Sequence, residues 1–111
     1  MSTKDYSILQ EKHVAKALNG NLVAGSGSPI FKRGDVIIPN TMVIECKTTL
    51  KEGLKSWSIK KDWLEQNEKE RLDLMLPYSA LAISKDPTGT NNMYVINEEL
   101  MKKLVDFLRE E

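Results

Sequence analysis

Three observations predict an α/β fold. Branched apolar runs at 35–38 and 42–48 have the composition of strands, and the turn signal Pro39-Asn40 separates them. Apolar residues recur at helical spacing near both ends of the chain: Ile8, Ala15 and Leu18, then Leu100, Leu104, Phe107 and Leu108. Between these lie two more apolar segments, 78–83 and 93–96, punctuated by Pro77 and by Asp86-Pro87-Thr88-Gly89. The order is therefore helix, hairpin, helix, two strands, helix.

The first helix is expected from about Asp5 to Leu18, with Asn19-Gly20 ending it. Glu11 falls on its apolar face, where its carboxylate reaches either solvent or a polar cleft against the next element. Gly25-Ser26-Gly27-Ser28-Pro29 reads as a turning loop. It lacks the Lys-Ser or Lys-Thr that follows a phosphate-binding loop and the full dinucleotide fingerprint, so a nucleotide cradle is not expected.

The hairpin has two registers. A three-residue loop at 39–41 faces position 38 with 42 and Asp35 with Glu45, whereas a two-residue loop at 39–40 sets Asp35 opposite Ile44. In either case Glu45 and Lys47 share one face of the second strand, and Ile44, Cys46 and Thr48 the other. After an irregular stretch around Gly53, Ser58 is expected to cap a helix from Ile59 to about Arg71. Trp57 and Trp63 are expected to be buried anchors, with stacking on bases as the alternative. Asn97 can cap the last helix, whose positive end suits Glu98 and Glu99, and whose apolar stripe can serve the core or an interface.

The chain of 111 residues fits one domain, 1–111, and its single Cys46 supplies neither an internal disulfide nor a cysteine-rich zinc site. No apolar run is long enough to cross a bilayer and no secretory signal opens the chain, so a soluble cytoplasmic protein is expected. The 16 basic and 16 acidic side chains cancel overall but not locally. Residues 1–31 carry about +1, residues 32–61 about +4 and residues 62–111 about −5. The basic middle holds Lys32, Arg33, Lys47, Lys51, Lys55, Lys60 and Lys61, enough to meet several phosphates if the fold gathers them.

The most informative local pattern is Asp35 followed by Glu45-Cys46-Lys47. Two carboxylates can give hard oxygen ligands to Mg²⁺ or Mn²⁺ and leave positions for water and a phosphate. Lys47 suits another task, orienting a water or countering charge on a phosphodiester. The only histidine, His13, does not face Glu11 on a helix, and Cys46 points away from Glu45 and Lys47, so no Ser or Cys nucleophile competes.

Glu11, Gly25-Ser26-Gly27, Gly34-Asp35-Val36 and Val43-Ile44-Glu45-Cys46-Lys47 together resemble the restriction-endonuclease-like PD-(D/E)XK superfamily, and in particular the small archaeal and phage-type Holliday junction resolvases. The resemblance covers most of 5–71. It implies a central mixed sheet flanked by helices and metal-dependent hydrolysis of DNA, with Asp35 and Glu45 as metal ligands, Glu11 assisting and Lys47 as the catalytic lysine. It also implies Mg²⁺ as cofactor, with Mn²⁺ able to replace it, and a homodimer acting on four-way or other branched DNA. Ser26 matches a small polar loop position near DNA. Lys32, Arg33, Lys51, Lys55, Lys60 and Lys61 are the candidate backbone contacts, Lys61 alternatively matching a supportive polar position. Gly34 stands where a proline often precedes the aspartate, which weakens the subfamily assignment more than the chemistry. The competing reading is a non-cleaving DNA-binding or assembly module on the same framework.

Overall fold

The computed structural model describes residues 3–23, 35–48, 53 and 55–110, with side chains from Tyr6 onward. Eight elements follow one another: α1 (Thr3–Ala17), β1 (Asn21–Leu22), β2 (Val36–Ile38), β3 (Met42–Lys47), α2 (Lys61–Leu74), β4 (Tyr78–Ser84), β5 (Asn92–Val95) and α3 (Glu98–Arg109). The strands form one five-stranded sheet in the order β1-β2-β3-β4-β5. Only β3 and β4 run parallel, joined through α2 as a βαβ unit; every other pair is antiparallel. The fold is thus α/β, with a mixed sheet flanked by helices.

Asn19 ends α1 in the left-handed region, at φ 56°, and the Gly20 amide donates to Ala15 O at 2.8 Å. A side chain at Gly20 would press on Val36 Cγ1 and Ile37 O, so glycine lets the chain turn tightly into β1. The short β1 has no counterpart in the sequence reading, because two exposed residues carry no alternation.

The hairpin takes the three-residue-loop register: Ile38 faces Met42 and Thr41 N donates to Ile38 O at 3.0 Å. The ladder ends at Val36 facing Ile44, and the next amide, Asp35 N, returns to Ile44 O at 3.1 Å. Beyond that point β3 continues without a β2 partner. Among the described residues, this leaves its edge without a ladder partner at Glu45 to Lys47, the segment that carries the candidate chemistry.

Alternation along β3 and β4 sends side chains to two helix-covered faces. Val14 and Ala15 of α1 pack on Val36, Ile44, Ala80 and Ala82, with Cys46 and Ile96 at the margin of this cluster. The opposite face, with buried Val43 and Leu81, is the one α2 crosses, where Ser79 Oγ donates to Glu68 Oε2 at 3.4 Å. Burying both faces of β3 and β4 accounts for their near-continuous apolar sequence.

Two expectations are corrected. Ser58 does not cap α2, which begins at Lys61 after an extended Lys60 that makes no side-chain cap bond. A cap is worth about 1 kcal/mol, and the helix instead starts where Trp63 meets Lys47 and Lys60. Trp57 is no buried anchor, since it is 46% exposed. Asn97 does cap α3, its Oδ1 accepting from Leu100 N at 2.9 Å. Only Leu100 of the α3 stripe is buried; Leu104, Phe107 and Leu108 are exposed.

Candidate active site

This edge of β3 gathers three of the four central residues. Asp35 Oδ2 accepts from the Cys46 amide at 2.7 Å, replacing the missing ladder bond with a side-chain one. That fastens Asp35 beside the backbone between Glu45 and Lys47. On the α2 face, Lys47 Nζ lies 3.5 Å from Glu45 Oε1, with the carboxylate side chain 8% exposed and the lysine 29%. The same ammonium sits 4.9 Å from the centre of the Trp63 ring, which limits where it can swing.

Glu11 comes from the opposite side of the sheet. It belongs to α1 and borders a crevice of about 130 Å³ with Ile8, Lys12, Leu22 and Val23. The Cys46 thiol feels the charge of all four groups. Burial pushes its pKa well above the ordinary thiol range, the negative charges of Asp35, Glu11 and Glu45 push it further, and Lys47 opposes them. Cys46 itself is thereby held as an inert thiol at neutral pH.

The carboxylates suit a hard divalent cation in kind and charge. Each offers about four lone-pair sites, so the Cys46 amide bond does not exhaust Asp35. Among the described residues, however, no three His, Cys, Asp or Glu side chains stand close enough to cage an ion. Mg²⁺ commonly takes only one or two protein carboxylates and completes its shell with water and phosphate, which Asp35 and Glu45 can satisfy.

Gln10 is the functional residue that sequence reasoning missed. Fully buried beside Glu11, it accepts from Thr48 Oγ1 at 2.7 Å. Its Nε2 faces Lys47 O at 3.1 Å, Ala82 O at 3.0 Å and Asn92 Oδ1 at 2.9 Å. One amide thus ties α1 to β3, β4 and β5 and fixes the backbone of Lys47. Gly89, at φ 74°, makes this possible, because a Cβ there would lie 2.7 Å from Gln10 Cα. A polar residue four before Val14 on a core-facing helix was the only sequence signal.

Of the candidate DNA contacts, Lys55, Lys60 and Lys61 are exposed. Lys60 lies 5.8 Å from the Trp63 ring centre, and Lys61 makes a solvated pair with Glu65 at 3.7 Å. Ser26, Lys32, Arg33 and Lys51 lie outside the described residues, as does Gly34. His13 is partly buried on α1.

Compared with protein-family models, curated proteins and solved structures, the chain matches none. No helix among the described residues is long and apolar enough to cross a membrane.

Proposed function

We propose that the chain is a metal-dependent endodeoxyribonuclease with a restriction-endonuclease-like core, acting on four-way junctions or other branched DNA in the cytoplasm. The observation that carries this reading is the Asp35–Cys46 bond, which holds one acid at the strand edge between Glu45 and Lys47. Asp35 and Glu45 would hold Mg²⁺ or Mn²⁺, with Glu11 contributing from the α1 side. When bound, the ion supplies positive charge for the phosphate oxygens and a lowered proton affinity for water.

The chain's own groups do the rest. Lys47 has three N–H donors; Glu45 and the Trp63 ring restrain its ammonium, leaving it able to orient a water or bond a phosphate oxygen. Gln10 fixes the backbone from which that lysine extends. Lys55, Lys60 and Lys61, with Ser26, Lys32, Arg33 and Lys51, would grip backbone phosphates and orient the DNA without reading its bases.

A homodimer belongs to this reading, and α3 is the surface proposed for it. Met101, Leu104, Val105, Phe107 and Leu108 are exposed along one side of this helix. Its charges are ordered: Glu98 and Glu99 in the first turn, Arg109 in the last. Two copies packed antiparallel would cover both stripes, oppose the helix dipoles and bring Glu98 next to Arg109 of the partner subunit.

One observation favours a second reading, the non-cleaving DNA-binding or assembly module: the described residues present no three-ligand metal set. Incubation of intact, nicked, forked and four-way DNA with the protein and Mg²⁺ separates the two. Cleavage of the four-way or forked substrate, lost in Asp35→Asn and Glu45→Gln, supports the proposal. Metal-independent binding with no cut supports the module, and equal cutting of ordinary duplex overturns the preference for branched DNA.

A further inference from the structure

Beside Lys47, on the side away from Asp35, lies a cavity of about 190 Å³ lined by Lys47, Thr48, Trp57, Ser58, Trp63 and Ile83. Its walls differ in kind. Trp57, Trp63 and Ile83 provide flat or branched apolar surface, whereas Ser58 contributes a hydroxyl and Lys47 an ammonium. The two lysines within reach of Trp63, at 4.9 and 5.8 Å, put positive charge at the margin of the aromatic wall. Trp57 carries a large apolar ring that is nearly half exposed. Exposing an indole in this way costs hydrophobic stabilisation that burial would provide. Its position beside a cationic rim instead matches the chemistry of single-strand recognition, in which bases stack on aromatic rings while cations hold the phosphates.

We infer that this cavity receives one unstacked nucleobase of a DNA strand, stacked on Trp57, with the adjoining phosphate directed toward Lys47. A space of this size takes one planar heterocycle and cannot admit a paired duplex step. The pocket therefore selects DNA in which a base is already unpaired or easily flipped, as at a fork or junction centre, and disfavours continuous duplex. Flipping is cheapest where pairing is already broken, so the preference needs no base-specific contact. The inference rests on the nuclease reading for its substrate and adds what that reading lacks, a physical source of structure selectivity.

The chain has only two tryptophans and both line the cavity, so intrinsic tryptophan emission reports on it directly. The protein is titrated in EDTA, without cleavage, with a single-stranded deoxythymidine oligomer, an abasic oligomer of the same length, and a duplex, while fluorescence anisotropy of labelled DNA measures binding separately. The base-bearing single strand should quench the emission; the abasic strand should bind about tenfold more weakly and leave the emission unchanged. Trp57→Ala should lose that tenfold preference and Trp57→Phe should keep most of it, both with wild-type circular dichroism. Equal quenching by abasic and base-bearing strands, or unchanged preference in Trp57→Ala, overturns the pocket. Binding and cutting of DNA with no base-dependent signal overturns the pocket alone, whereas no binding to any DNA, either in EDTA or with Ca²⁺ in its place, overturns the nuclease reading with it.

Discussion

Asp35 Oδ2 accepts the amide hydrogen of Cys46 at 2.7 Å, so the acid that precedes β2 is fastened to β3 by its side chain as well as by its own amide on Ile44 O. The consequence is a charge placement that neither strand provides alone. Glu45 and Lys47 project on the α2 face, α1 with Glu11 packs on the opposite face, and Asp35 is fastened at the strand edge.

This hydrogen bond separates charge from shape. Asn in place of Asp35 retains an oxygen acceptor for the Cys46 amide but removes the negative charge. Asp35→Asn should therefore fold normally, bind DNA, and lose cleavage by on the order of a hundredfold or more. Steady-state cleavage of a forked substrate beside a thermal melt measures both. A variant that melts early would instead mean that Asp35 serves the fold.

Lys47 has a structural role that its chemistry would conceal. Its ammonium neutralises a carboxylate that is 8% exposed, so Lys47→Met removes a charged partner from a desolvated site. The variant should lose about 1–3 kcal/mol in urea unfolding as well as cleavage. Pairing it with Glu45→Gln in a double-mutant cycle should recover part of that loss, because no lone charge then remains from the pair.

Gln10 and Gly89 form a second coupled pair. Truncating Gln10 to Ala strips partners from Thr48, Asn92 and the carbonyls of Lys47 and Ala82, which should cost about 3 kcal/mol. Gly89→Ala should destabilise as well, by about 1–3 kcal/mol, since its φ is positive and its Cβ would collide with the α1 backbone. Chemical denaturation of each variant checks these values.

Acid stability should depend on Glu68. Hydrogen bonding from Arg71 first, together with its positive charge and a bond from Ser79, holds the Glu68 carboxyl below the usual carboxylate range. Its pKa is lowered on folding, so the stabilisation is present above the unfolded value of about 4.3 and is lost as pH falls through the folded value. Wild type should lose a few tenths of a kcal/mol more than Glu68→Gln between about pH 5 and pH 3, a small difference because solvent screens the pair. Urea midpoints at several pH values measure it.

The α3 surface makes a prediction about assembly. Leu108 is 64% exposed and lies on the same stripe as Leu104, so Leu104→Glu with Leu108→Glu should leave each protomer folded but shift the proposed dimer to monomer. Light scattering decides, and a wild-type monomer at working concentration, with or without DNA, would contradict the dimer.

The parts of the fold readable from sequence are those set by local chemistry. Pro39-Asn40 marks the hairpin, Asn97 supplies its own cap, and alternation puts Glu45 and Lys47 on one face. Gln10 was opaque because its partners lie 37 to 82 residues away, and no local pattern encodes them. The start of α2 was misplaced for a related reason: a local cap at Ser58 gave way to the tertiary contact of Trp63 with Lys47. Spacing alone left the hairpin register open, and the buried apolar residues on the α1 face of β2 and β3 decide it by where they must point.

The most direct test of the central claim is paramagnetic broadening of backbone amide signals by substoichiometric Mn²⁺. The account predicts selective loss of the Cys46 and Lys47 amide signals in wild type, abolished when Asp35→Asn and Glu45→Gln are combined. Amides of β3 that keep their intensity in wild type, or the same broadening in the double variant, would contradict it.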